Sequence, residues 1–201
     1  MFFFVVAAAV AVALLRGGRP DRLVSFPFRH LWLVFAAFGV QLVLHLPLFT
    51  RIALVREIAP YLYPSAYYLL LLCFALNRRA PGVVWLAGGC LANLVVIAVN
   101  GGKMPVDGEA LLAMGCQVWR DAFASGRSLT NTLITPATRV PWLADVLVGS
   151  PPFSKPTLFS AGDVLLAVGV FVLVQKTMLA RGRTGRAAAE PGVAASVDKR
   201  R

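Results

Sequence analysis

Polar side chains within apolar stretches are the residues of this chain best placed to do chemistry. Gln41 and His45 are four residues apart, so a helix would place them on one face. Asn93 and Asn100 are seven residues apart in and after another apolar run, and Asp163 begins a third. Helical rise places Gln41 and Asn93 at nearly the same depth, and all five residues toward the same end of their runs. If these faces meet, they form a polar cluster in which His45 and Asp163 could act as acid and base.

Three of these residues also have a purely structural interpretation. Gln41 and Asn93 could hydrogen-bond one helix to another, as polar residues in apolar helices do. Ser160 stands three residues before Asp163, which is the spacing of a capping box at a helix start. The sequence leaves both interpretations open.

The stretch Gly101-Gly102-Lys103 is a second candidate site. Backbone N–H groups of adjacent glycines can form a nest, and a neighbouring lysine suits a phosphate or carboxylate. The stretch is not a P-loop, because the glycine spacing differs and Met104 replaces the serine or threonine. The alternative is that it ends a helix, with glycine at the C-cap followed by Pro105. The candidate ligand-binding residues are Gln41, His45, Asn93, Asn100, Gly101, Gly102, Lys103 and Asp163.

The sequence contains few residues in arrangements suited to catalysis. The chain has two histidines and three cysteines, and no metal-ligand spacing, nucleophile elbow or carboxylate pair. We therefore predict no catalytic residue, no metal and no cofactor, and favour a protein that is not an enzyme.

Composition defines the elements that must position these residues. The 201-residue chain is 58% hydrophobic and 14% charged, with a mean hydropathy of +0.73. A soluble domain has about 45–50% apolar and about 25% charged residues. The excess lies in continuous runs, which predict helices, because a helix satisfies its own backbone hydrogen bonds in hydrocarbon.

These runs predict an all-α integral membrane bundle of about five transmembrane helices. The predicted spans cover residues 2–18, 31–48, 61–76, 83–99 and 163–180. Residues 100–160 form one large outer loop with an amphipathic helix over 109–124. Five loop residues are predicted to be buried against helix ends or lipid: Met104, Leu111, Val118, Trp142 and Leu143. Residues 181–201 are predicted to be a disordered basic cytoplasmic tail.

Charge predicts the orientation. Most of the chain's basic residues fall between the first two runs, in the Arg78-Arg79 turn and in the C-terminal tail. Basic residues favour the cytoplasmic side, so the N-terminus is expected outside and the C-terminus inside. No positive charge precedes the first run, which is the reverse of a cleavable signal.

The segment Asn100-Gly101-Gly102-Lys103-Met104-Pro105-Val106 resembles the Asn-Gly-Gly-x-Met-Pro-Val signature of an uncharacterised family of bacterial multi-pass membrane proteins, a domain of unknown function. The segments 135–145 and 160–163 support the resemblance. It implies a bacterial cytoplasmic membrane location and agrees with five spans. It supplies no activity and no site residues.

Three functional hypotheses follow. The first is a non-catalytic envelope protein whose outer face binds a lipid headgroup, a small anion or a partner protein. The second is a membrane-embedded enzyme acting on a lipid-linked substrate. The third is a small transporter. The lipid bilayer is the expected partner, with an anionic lipid, a small anion or a protein as further candidates, and no nucleic acid.

Overall fold

A computed structural model describes residues 2–149 and 157–180 of the chain. The predicted tail, 181–201, lies outside the described residues. Five of the helices are apolar: α1 (Phe2–Leu15), α3 (Trp32–His45), α5 (Ala53–Leu76), α6 (Val83–Val99) and α9 (Ala161–Met178). Two short helices, α2 (Pro20–Val24) and α4 (Pro47–Thr50), lie on either side of α3. The described part of the chain is thus mostly helical, as predicted.

By length and composition, α5 and α9 could cross a membrane. The helices α1, α3 and α6 have 14, 14 and 17 residues and fall short of the same criterion. A span needs roughly 20 apolar residues, or fewer where the bilayer thins or flanking residues snorkel. Five transmembrane helices therefore remain a prediction.

Helix α5 begins eight residues before the predicted start of its span and runs through Pro60 and Pro64. Each proline lacks an N–H and leaves one carbonyl of the previous turn without its helical partner. The helix continues because one of its faces is buried, including Ala59, Tyr63 and Tyr67. Packing outweighs the missing hydrogen bonds, so Pro60 is a poor boundary signal here.

The five apolar helices pack in the spatial order α3, α5, α6, α9, α1. Between α6 and α9 the contact is backbone to backbone. A Cβ on Gly89 would overlap the Gly162 carbonyl oxygen and lie 2.8 Å from the Leu166 nitrogen. A Cβ on Gly169 would lie 2.8 Å from the Leu86 nitrogen. Small residues at such crossings let helices approach closely.

Residues 100–149 and 157–160 form a cap beside one end of the helices. It contains α7 (Gly108–Ala113), α8 (Gln117–Ala124), a 3-10 turn (Pro141–Leu143) and four short strands. The parallel pair is β1 (Met104–Val106) with β2 (Asn131–Leu133), and Met104 faces Asn131 in the register. The antiparallel pair is β3 (Leu147–Gly149) with β4 (Thr157–Phe159). The prediction of a purely α-helical fold missed these strands, because each has only three residues.

The cap corrects one prediction in detail and bears on a second. The amphipathic helix expected over 109–124 is two helices, interrupted at Gly115, which has a φ of +71°. Of the loop residues predicted to be buried, Met104 and Leu111 are buried and Leu143 is partly buried. Val118 and Trp142 are 79% and 71% exposed, so the protein itself does not bury them.

Candidate functional site: a cavity with one polar end

A cavity of about 610 Å³ lies between α3 and α9, with α5 and α6 forming its floor. Most of its lining is apolar. The lining residues are Leu23, Val24, Phe26, Phe28, Leu31, Val34, Ala37, Phe38, Gln41, Tyr67, Leu70, Phe74, Leu86, Asn93, Asp163, Leu166, Val170 and Leu173. The residues from the segment 23–31 line the end opposite the cap. The polar residues lie toward the cap, so the cavity is amphipathic along its length.

The polar end is built around a network that joins α6 to the start of α9. Asn93 donates from Nδ2 to Asp163 Oδ1 at 2.9 Å, and Ser160 donates from Oγ to Asn93 Oδ1 at 2.8 Å. The Asp163 N–H donates to Ser160 Oγ at 3.0 Å, and the Ser160 N–H to Asp163 Oδ2 at 3.2 Å. Asn93 and Ser160 are buried. This network therefore fixes the Asp163 carboxylate in one position.

The structural interpretations hold for Asn93, Ser160 and Asp163. Ser160 and Asp163 form a complete capping box, and Asn93 links two helices. The link depends on Gly162, because a Cβ there would overlap Asn93 Oδ1. The network does not use all of the carboxylate's capacity. A carboxylate has about four acceptor positions, and Asp163 also lines the cavity.

Gln41 and Tyr67 complete the polar end. Gln41 is partly buried, and within the described part of the chain its side-chain amide makes no hydrogen bond. An amide offers two donors and an acceptor, so Gln41 is free to bind a guest in the cavity. The Tyr67 hydroxyl lies 3.3 Å from that of Tyr63, which is also buried.

Two predicted members of the polar cluster lie elsewhere. His45 is exposed, with Nδ1 2.7 Å from the Gln41 carbonyl oxygen and Nε2 3.4 Å from Thr130 Oγ1. Asn100 donates to the Arg139 carbonyl and accepts from the Arg139 N–H, both at 2.8 Å. His45 thus contacts the cap, and Asn100 holds the cap to the end of α6. Neither residue lines the cavity. His45 and Asp163 are therefore not placed to contact the same ligand there.

The glycine stretch forms a helix end. The Gly102 N–H donates to the Ile97 carbonyl at 2.9 Å, and both glycines have positive φ, +69° at Gly101 and +76° at Gly102. Lys103 donates from Nζ to the Ser128 carbonyl at 3.0 Å. Partial burial, with a smaller contribution from Arg56, lowers the pKa of Lys103. These contacts are those of a C-cap; anion binding at this stretch stays a prediction.

Asp145 is a partly buried acid that the sequence reasoning missed. It follows the 3-10 turn and is held by backbone hydrogen bonds to Pro105 and Asp107, at 2.9 and 3.1 Å. Its Oδ1 is buried and, among the described residues, has no hydrogen-bond partner. Burial, and then the charge of Asp163, raises the pKa of Asp145 to about 7. No local pattern marks it, because its burial comes from the parallel bridge to Val106.

We expect Asp145→Asn to stabilise the protein above pH 7 and to change little below pH 4. Between about pH 4 and pH 7 the folded chain holds a proton that the unfolded chain has lost, so stability falls as pH rises through this window. The asparagine side chain is neutral and does not suffer this loss. We expect it to raise the free energy of unfolding above pH 7 by about 1–2 kcal/mol, because the side chain at this position is only partly buried. Thermal unfolding of the wild type and of Asp145→Asn at pH 5 and pH 8 measures this difference in stability. Equal pH dependence in both proteins would contradict the expectation.

The fold and the site define a mostly helical protein with two helices suited to crossing a membrane and an apolar cavity polar at one end. The chain belongs to a family of unknown function (DUF5317), whose model matches residues 25–175. This match confirms the resemblance to an uncharacterised family.

A relative from Thermotoga maritima, described as an uncharacterized protein, is 31% identical over 111 residues. The match covers 55% of this chain and 61% of the relative, so the chain spans less than two thirds of that protein's length. No solved structure matches the chain.

Proposed function

We propose that this is an integral membrane protein that binds an amphiphilic molecule, a lipid of the surrounding bilayer, in the cavity between α3 and α9. Five segments cross the bacterial cytoplasmic membrane, the cap lies outside, and the C-terminus is cytoplasmic. The protein holds its ligand without transforming it. The observation that carries the proposal is the cavity itself, long, apolar and polar at one end.

The size and lining of the cavity support this ligand class. Small-molecule sites of about 300–1,000 Å³ are mostly apolar, with a few polar groups that fix orientation. Here Leu166, Val170 and Leu173 follow Asp163 along α9, so an acyl chain beside them would place its head near the carboxylate. Each CH₂ removed from water contributes about 0.8 kcal/mol, but a chain already in lipid gains nothing from that term. Specificity must therefore come from the polar end.

The same contacts favour binding over catalysis. Asp163 accepts hydrogen bonds at both carboxylate oxygens, and His45 is occupied with the Gln41 carbonyl and Thr130. A general base must reach the proton that it removes. The described residues lining the cavity include no histidine, cysteine or lysine. A lipid-modifying enzyme is therefore the weaker candidate.

Cysteine accessibility in intact cells tests the topology. In a background without Cys73, Cys90 and Cys116, we expect an impermeant thiol reagent to label Ala124→Cys, since Ala124 is exposed at the end of α8. It should not label Ala180→Cys, which is exposed just after α9, until the cells are permeabilised. Labelling of Ala180→Cys but not of Ala124→Cys in intact cells would show that the orientation is opposite to the one proposed.

Lipid retention tests the binding site. We expect the protein, purified in mild detergent and studied by native mass spectrometry, to retain one bilayer lipid. Val34→Trp should lower that retention by about tenfold, because Val34 lines the cavity and the larger ring would fill it. A tenfold loss corresponds to about 1.4 kcal/mol.

The neighbouring substitution Phe35→Trp is the matched control. Phe35 lies on the same helix but is 69% exposed and is not among the described lining residues. It should retain lipid as wild type does. Equal retention in Val34→Trp and Phe35→Trp, or no retained lipid in the wild type, would contradict the proposed function.

A further inference from the structure

The charge at the polar end of the cavity has one sign. The Asp163 carboxylate lines it, and Asp145 lies near enough for the charge of Asp163 to act on it. The other polar residues there, Gln41, Tyr67 and Asn93, are uncharged. Among the described lining residues none is Lys, Arg or His. A phosphate placed at this end would meet a fixed carboxylate with no cation to offset the repulsion.

We infer that the cavity selects a lipid whose head is an uncharged hydroxyl, such as a diacylglycerol or a long-chain alcohol, and rejects anionic phospholipids. This inference rests on the proposed function and names its ligand class. The hydroxyl hydrogen is donated to Asp163, whose oxygens retain free acceptor positions beyond the bonds from Asn93 and Ser160. The hydroxyl oxygen accepts from the Gln41 amide.

The arrangement discriminates through both attraction and repulsion. Like charges placed together at a partly buried site repel each other, so a phosphate should bind more weakly here than a hydroxyl. A quaternary ammonium head is disfavoured by a different feature. Recognition of such cations uses several aromatic faces, and Tyr67 is the one aromatic residue among the described groups at the polar end. A small hydroxyl that donates one hydrogen bond matches the groups present.

Three lipids with identical acyl chains test this in the delipidated protein. These are dioleoylglycerol, dioleoyl phosphatidic acid, and dioleoylglycerol with its free hydroxyl methylated. We expect dioleoylglycerol to bind at least about tenfold more tightly than phosphatidic acid. The methyl ether should bind about fivefold more weakly than dioleoylglycerol, because it cannot donate to Asp163.

Asp163→Asn identifies the group responsible. The amide keeps the size of the side chain and removes the charge, so the preference for dioleoylglycerol over phosphatidic acid should fall to about twofold or less. Asp121→Asn is the matched control, since Asp121 is an acid in α8 that does not line the cavity. Its preference should equal that of the wild type. If Asp163→Asn fails to fold, the comparison of dioleoylglycerol with its methyl ether in the wild type still tests whether the lipid hydroxyl donates a hydrogen bond.

The outcomes separate the two proposals. If none of the three lipids binds to the delipidated protein, the proposed function is overturned. If they bind but phosphatidic acid equals or exceeds dioleoylglycerol, only the head-group inference is overturned. Equal binding of dioleoylglycerol and its methyl ether also overturns it, because the hydroxyl donor would then have no role.

Discussion

Gly89→Ala is expected to lower the free energy of unfolding by about 3 kcal/mol or more, the range of overpacked cores and strained backbone. The added Cβ would overlap the Gly162 carbonyl oxygen and come within 2.8 Å of the Leu166 nitrogen, and both atoms belong to the backbone of α9. A flexible side chain could move aside, but a helix backbone cannot without displacing its neighbours. The helices α6 and α9 must therefore separate.

The adjacent glycine provides the control. A Cβ on Gly88 would meet Leu165 Cδ1 at 3.9 Å, an ordinary van der Waals distance. Gly88→Ala should leave the protein as stable as the wild type or slightly more so, because alanine favours the helix. Thermal unfolding in detergent compares the two, and about 3 kcal/mol corresponds to a fall in Tm of about 6–12 °C. Equal Tm values for the two variants would show that α6 and α9 do not cross at Gly89.

Loss of this crossing should also abolish lipid retention. Gly162 begins the same contact and leaves the space that Asn93 Oδ1 occupies. When α6 and α9 move apart, Asn93 can no longer hold Asp163, and the polar end of the cavity loses its fixed carboxylate. Gly89→Ala should therefore retain less lipid than Gly88→Ala in the native mass spectrometry experiment.

Gly102→Ala is expected to destabilise the protein by about 3 kcal/mol, and Gly101→Ala by only about 1 kcal/mol. Both residues have positive φ, which costs an alanine about 1–2 kcal/mol. Only Gly102 adds a collision, because its Cβ would overlap the Pro60 carbonyl oxygen and lie 2.5 Å from the Pro60 Cα. A Cβ on Gly101 would meet nothing within 4 Å.

Chemical or thermal unfolding of the two variants in the same detergent gives the comparison. The backbone conformation is similar at the two positions. The difference in stability between the two variants therefore measures the effect of the contact with Pro60 in α5. If the two substitutions cost the same, the glycine pair would serve only to end α6, and the packing of the cap on Pro60 would contribute nothing to stability.

Much of this protein follows from its sequence, where the deciding forces act over a few residues. Continuous apolar runs predicted the apolar helices, since each run must bury or shield its side chains and satisfy its own backbone. Three of the predicted spans, 31–48, 83–99 and 163–180, lie close to the bounds of α3, α6 and α9. Ser160 and Asp163 predicted their own capping box, because the residues that form it are three apart in the chain.

The tertiary structure alone decided which polar residues meet. Asn93 and Ser160 are 67 residues apart, and their hydrogen bond exists because Gly89 and Gly162 let two backbones approach. His45 was predicted on the same helix face as Gln41, and Asn100 on the same face as Asn93. Both nevertheless contact the cap rather than Asp163. Helical periodicity gives the relative direction of side chains on one helix and says nothing about how neighbouring helices are rotated. The cavity, its polar end and the burial of Asp145 all depend on that rotation and on the long-range pairing of the cap strands.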